Sequence, residues 1–328
     1  MSGLPPLRCR ALSALLLFFI CAVANAERLP SAASAPGAPS DPNQAVLFQR
    51  MSASMEALAA RTDGVLSVAI TDLRDGTRYT LHADHVFAVA STIKLAILFE
   101  LFRQADQGLL SLSDLQPVPT TALIEGSPIL GGLLRVDTGA TTTAPRPFSL
   151  RELAVYMIVT SDNTATNALI DRLGFAAIND LCQRQGLGKT RLRRRMLDTA
   201  AVRRGDENTA TASELAALIA QISRFPWRRD TSQRELLAIL SLPKESFFAR
   251  GLPSEQPMAS KLGSLDGVRA EVAIVPLPER PFVLSAIVAY ARDGAAAERT
   301  LADVATAAHS YFSALGEHTT HGRKRPSP

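Results

Sequence analysis

At 328 residues, 47% hydrophobic and 20% charged, the chain has the balance of an ordinary globular protein, which excludes a disordered chain, a collagen-like fibre and a polytopic membrane protein. The formal charge of +4 is small, and the arginines within 191–195 and the run His321-Gly322-Arg323-Lys324-Arg325 lack interleaved aromatics. They read as solvated faces rather than a nucleic-acid surface.

Residues 1–26 place Arg8 and Arg10 before an apolar stretch and end in Ala24-Asn25-Ala26, the pattern of a secretory signal peptide. The apolar stretch is too short to span a membrane, and bulky Ile20 before Cys21 argues against a lipoprotein. Cleavage after Ala26 leaves Cys182 as the sole cysteine, so no intrachain disulfide is expected. Residues 27–42, rich in Ala, Ser and Pro, read as a disordered tether. An amphipathic helix follows over 43–61, then strands at 65–73 and 78–82 joined through Asp75-Gly76, a hairpin signal. The run from Ser91 is apolar from Leu95 to Phe102 save Glu100, which predicts a buried helix stopping near Gly108. Helices are predicted at 150–160, 164–173, 175–185, 212–222 and 232–242, strands at 257–261, 268–275 and 282–290, and a last helix at 296–314.

Strands at both ends thus enclose a helical insert. The expected fold is mixed α/β (α+β), a five-stranded antiparallel sheet with flanking terminal helices plus an inserted all-helical lobe. The domain spans 43–316, with a sheet lobe at 43–88 and 248–316, a helical lobe at 89–247 and a basic tail at 317–328.

Ser91-Thr92-Ile93-Lys94 opens the buried helix. A serine in the first turn and a lysine three residues on share a face, so hydroxyl and amine come within hydrogen-bond reach. Burial or a neighbouring cation lets such a lysine take the proton of the attacking hydroxyl. The pattern alone also fits a cap beside a surface lysine. Two further motifs remove that ambiguity: Ser161-Asp162-Asn163 between two predicted helices, and Lys261-Leu262-Gly263-Ser264 at the end of a predicted strand.

With all three motifs in order, the chain resembles class A β-lactamases and penicillin-binding proteins. Agreement extends to Phe87-Ala88-Val89-Ala90, Thr164-Ala165-Thr166-Asn167 and Glu207-Asn208-Thr209-Ala210-Thr211. The resemblance implies that Ser91 forms an acyl-enzyme, with Lys94 accepting or relaying its proton. It implies that the N–H groups of Ser91 and Ser264 hold the oxyanion, with Gly263 allowing close approach of substrate. Ser161, helped by Lys261, then protonates the leaving nitrogen, and Asn163 holds both Lys94 and the substrate. The substrate carboxylate would sit on Lys261 and on Arg269, unless Arg269 is simply a strand arginine facing solvent.

Two departures bear on function. The family's Glu-x-x-Leu-Asn deacylation motif is absent, and the matching position lies near Met196 or Leu197. Asp198 is the nearest carboxylate, either a replacement base or the partner of a loop arginine. Leu262 stands where the family has a hydroxyl, and there is extra chain at 138–147. The resulting expectation is an exported, periplasmic or secreted serine β-lactamase. The alternatives are a D-Ala-D-Ala peptidase or esterase and a slowly deacylating penicillin-binding sensor. The partner is a small β-lactam or a cell-wall peptide, the protein a monomer off the membrane. No histidine has ligand spacing with Cys or carboxylates, so neither metal nor cofactor is expected. Trp227 reads as a packing anchor.

Overall fold

The computed structural model describes residues 39–136 and 145–326. The expected signal peptide at 1–26, most of the expected tether and most of the extra chain at 138–147 lie outside the described residues. In chain order, helix α1 (Pro42–Arg61) leads to strands β1 (Val65–Asp72), β2 (Arg78–Leu81) and the short β3 (Phe87–Ala88), then to a 3-10 turn at Ala90–Ile93 and helix α2 (Lys94–Asp106). Strand β4 (Leu115–Val118), helix α3 (Pro128–Val136) and strand β5 (Arg146–Ser149) follow. Next come helices α4 (Leu150–Val159), α5 (Asn163–Leu173), α6 (Phe175–Arg184) and the short α7 (Thr199–Arg203). Strand β6 (Thr209–Ala210) and helices α8 (Ala212–Ile222) and α9 (Asp230–Ser241) lead to β7 (Ala259–Leu265), β8 (Val268–Val275), β9 (Phe282–Ala289) and α10 (Gly294–Glu317).

The five expected strands form one sheet in the order β2-β1-β9-β8-β7, every neighbour antiparallel. All eight side chains of β9 are buried, because this central strand is covered on both faces, and it reads as an apolar run broken only by Ser285. Helices α1 and α10 cover one face: Met51, Met55 and Leu58 from α1 and Leu301, Val304 and Phe312 from α10 pack with Leu66, Val68 and Leu284. Phe282 and Phe312 stack with centroids 4.2 Å apart. The other face meets α2 and α8, where Ile97, Leu98 and Leu218 share a core cluster with Val272, Ile274 and Ile287. In the middle of α2 even Glu100 is fully buried, and Arg103 neutralises it through a two-bond pair of 2.7 Å each. Trp227 is a packing anchor against Phe99 and Phe225, its indole N–H donating to Ile222 O.

Among the boundaries that differ from the sequence reading, three bear on the domain limits or the site. Asp41 caps α1, so the helix begins inside the expected tether. Strand β7 runs on to Leu265, which puts the Lys261 motif in mid-strand rather than at its end. Ser91 lies in the 3-10 turn, and the α-helix begins only at Lys94. The basic residues after α10 fold back, with a bridge between His318 and Lys324 and a bond from Asn43 Nδ2 to Thr320 O. Among the described residues no helix is long and apolar enough to cross a membrane.

Candidate active site

Three elements converge where the helical region meets the edge of the sheet. Ala90 holds a left-handed backbone (φ +49°) just before Ser91, and Ser161 does the same (φ +55°) between α4 and α5. Such conformations cost an L-residue about 1–3 kcal/mol and persist only where the surroundings impose them. At Ser91, the Val89 carbonyl accepts from Thr92 N and from Thr92 Oγ1 at 2.7 Å. At Ser161, Asp162 caps α5 through Ala165 N and also accepts from Leu130 N of α3, so one carboxylate fixes two helix starts. Asn163 is fixed from the opposite side, its backbone N donating to Gly126 O and its Nδ2 to Glu125 O.

The Lys94 amine is fully buried, with Ser161 O at 2.6 Å, Ser161 Oγ at 3.0 Å and Asn163 Oδ1 at 3.0 Å around it. In the neutral form that burial favours it has two protons to share among the three and one lone pair that can take a proton. The Ser91 hydroxyl is not among its partners, so the expected direct pair within the first motif is replaced by a link from Lys94 to the second. Lys261, 1% exposed, donates to the same Ser161 Oγ at 3.2 Å and to Leu262 O at 2.9 Å. Ser161 Oγ therefore accepts from two amines and keeps its own proton free to donate. Burial, and secondarily the charge of Lys261, hold the Lys94 amine well below the usual lysine range, with Asp162 acting against the shift. Lys261 is lowered to about 7 by burial and then by Lys244, with Glu271 opposing.

Gly263 brings β7 against the Ser91 turn: a Cβ there would lie 2.8 Å from Val89 O and 2.9 Å from Ser91 N. Ser264, the next residue, is exposed. Leu262, where a hydroxyl was expected, packs against the core cluster containing Phe248 and Ala273 on the α1/α10 side.

Arg269 and Asp198 stand apart from this cluster. Arg269 is neither solvent-facing nor free, since its Nε donates to Glu298 Oε1 at 3.0 Å and its Nη1 to the Leu265 and Val268 carbonyls. Asp198 caps α7, accepting from Ala201 N at 2.9 Å, and among the described residues no arginine forms a salt bridge with it. Arg194 pairs instead with Glu207, and Arg195 with Asp171. Met196 is buried in the loop, its N donating to Asn167 Oδ1 at 2.8 Å and its O accepting from Asn167 Nδ2 at 3.3 Å. Asn179 makes the same two-bond clamp on Leu192. Asn208 accepts from Arg193 N and Arg194 N and donates to Arg194 O.

The sequence reading missed Lys244 and Glu271. Lys244 follows α9 and lines, with Ser161 and Lys261, a cavity of about 480 Å³. Fully buried Glu271 holds the same segment by accepting from Ser246 Oγ and from Phe247 N and Phe248 N, although burial raises its pKa. A charged residue in the apolar run of β8 was the available signal for Glu271.

A serine hydroxyl between two buried amines, beside a second serine on a strained turn, defines a site suited to acyl transfer with lysine, not histidine, moving the proton. The model of the beta-lactamase enzyme family matches residues 50–312, and the chain belongs to that family, whose activity is that of serine hydrolases of the β-lactamase kind. Beta-lactamase Toho-2 of Escherichia coli is 26% identical over 247 residues, covering 73% of this chain and 81% of its own. The β-lactamase structure from Sphaerobacter thermophilus is 26% identical with a TM-score of 0.69, covering 81% of this chain and 98% of that one. A leucine-to-glutamate mutant of PBP-A, described as an acyl-enzyme complex with penicillin G, matches with a TM-score of 0.71 at 24% identity, over 81% of this chain and 97% of its own.

Proposed function

We propose that this protein is an exported class A-type serine hydrolase that opens β-lactam amides through an acyl-enzyme on Ser91. The observation that carries this is Ser161 Oγ held between Lys94 Nζ and Lys261 Nζ. Ser91 Oγ attacks the lactam carbonyl and its proton passes to the amine of Lys94, which burial keeps available as a base. The N–H groups of Ser91 and Ser264 receive the oxyanion, and Gly263 sets the approach of β7 that brings them to one point. As the C–N bond breaks, the nitrogen takes the Ser161 proton, which the flanking amines replace. Asn163 holds Lys94 in place and presents its amide to the substrate. Export rests on the leader at 1–26.

A second reading, a penicillin-binding protein or D-Ala-D-Ala peptidase with slow deacylation of β-lactams, is favoured by the loop. The expected base position, near Met196 or Leu197, carries no carboxylate, and one oxygen of Asp198 caps α7. Mature protein is incubated with a chromogenic cephalosporin and with penicillin G while colour and intact mass are followed. Multiple turnovers lost in Ser91→Ala establish the β-lactamase. A lasting adduct on Ser91 without turnover establishes the binding protein, and neither adduct nor colour removes both readings.

A further inference from the structure

The cavity beside Ser161 has two amines on its walls, Lys261 from β7 and Lys244 from the segment after α9. Donor counting shows what they lack. Lys244 Nζ donates to the Leu240 and Leu242 carbonyls, at the C-terminal end of α9, which uses two of its three protons. Lys261 Nζ likewise uses two, on Ser161 Oγ and Leu262 O. Each ammonium therefore keeps one N–H for a group not supplied by the described residues, and a carboxylate has two oxygens. Neither amine forms an ion pair among the described residues. Glu271, fully buried, is committed to Ser246, Phe247 and Phe248, and Glu245 on the cavity wall is exposed. Two cations sharing a small cavity repel each other, and an anion between them relieves that cost. In accord, the charge of Lys244 is the largest influence on Lys261 after burial, and burial lowers Lys244 itself to about 8.

We propose that Lys244 is the second cation of the substrate's carboxylate seat, binding one carboxylate oxygen while Lys261 binds the other. The inference rests on the acyl-transfer reading above. It gives Lys244 a place for which Arg269 was the sequence candidate, Arg269 being occupied by Glu298 and two carbonyls. Glu271 is then a positioning residue, because its bonds to residues 246–248 hold the segment that carries Lys244.

The test compares the rate at which the lactam ring is opened on Ser91, read by loss of lactam absorbance and, where the adduct accumulates, by intact mass, for penicillin G and for its methyl ester. In the wild type the acid reacts faster than the ester. In Lys244→Ala the acid-to-ester ratio falls about tenfold, the value of one charge-assisted hydrogen bond, and Lys244→Arg restores most of it. An unchanged ratio, or equal losses for acid and ester, overturns the seat and leaves Lys244 as a cap on α9. Neither adduct nor turnover in the wild type removes the acyl-transfer reading, and the seat with it.

Discussion

Replacing Gly263 by alanine tests how closely β7 must approach the nucleophile. The added Cβ would lie 2.8 Å from Val89 O, 2.9 Å from Ser91 N and 3.0 Å from Ala90 Cβ, whereas ordinary contacts begin at 3.4 Å. Two of the three atoms are backbone, fixed by the 3-10 turn, so the strand must withdraw by about half an ångström. Overpacking of this kind costs about 1–3 kcal/mol, which in a domain of this size lowers Tm by several degrees. Because a 1 Å misplacement costs roughly 100-fold in rate, half that displacement lowers the acylation rate constant about tenfold. Stopped-flow acylation by a chromogenic cephalosporin measures this, alongside a thermal melt. Gly188→Ala is the control, since nothing lies within 4 Å of its added Cβ. Acylation by Gly263→Ala at the wild-type rate, with an unchanged melt, would refute the claim that this glycine sets the geometry.

Three further outcomes are expected. Met196→Glu places a carboxylate in the stretch where the family's deacylating base is expected, so the Ser91 adduct should shorten in lifetime by at least tenfold, read by the decay of adduct mass. In Asn208→Ala two loop N–H groups lose their acceptor, each at a cost of about 1–3 kcal/mol if left unpaired, so the urea midpoint drops while the region around α1 and α10 keeps its hydrogen-exchange protection. Lys261→Met should be more stable than wild type at pH 7. Lys261 titrates near 7 when folded and near 10.5 when unfolded, so folding releases its proton across that window. The wild type thus carries the full burial penalty below pH 7, on the order of a few kcal/mol, and loses it as pH rises toward 10.5. The stability gap between variant and wild type must therefore narrow from pH 7 to pH 10, and a constant gap would contradict the assignment.

The sheet was legible because its inner strands β1, β8 and β9 carry long apolar runs and β2 follows a hairpin signal. Val268–Val275 and Ala212–Ile222 have the boundaries expected from pattern alone. The start of α2 was not, because a 3-10 turn and an α-helix share the same apolar spacing over four residues. Ser91, Lys94, Ser161, Asn163 and Lys261 could be named from motif spacing, yet the partner of Lys94 could not. A three-residue spacing shows that two side chains share a face, whereas the competing acceptors Ser161 and Asn163 come from 67 and 69 residues away. The partner of Arg269 was hidden for the same reason, since Glu298 lies 29 residues away, whereas Asp198 caps α7 through Ala201, a contact within its own turn.

The asparagine clamps on the loop have a consequence for how this chain can change. Asn167, Asn179 and Asn208 grip the main chain at Met196, Leu192, Arg193 and Arg194, and none of them binds the side chains it passes. The path of the loop at these four residues is thereby written in asparagines that flank it, so a new side chain at residue 196 would be presented on a backbone that is already fixed.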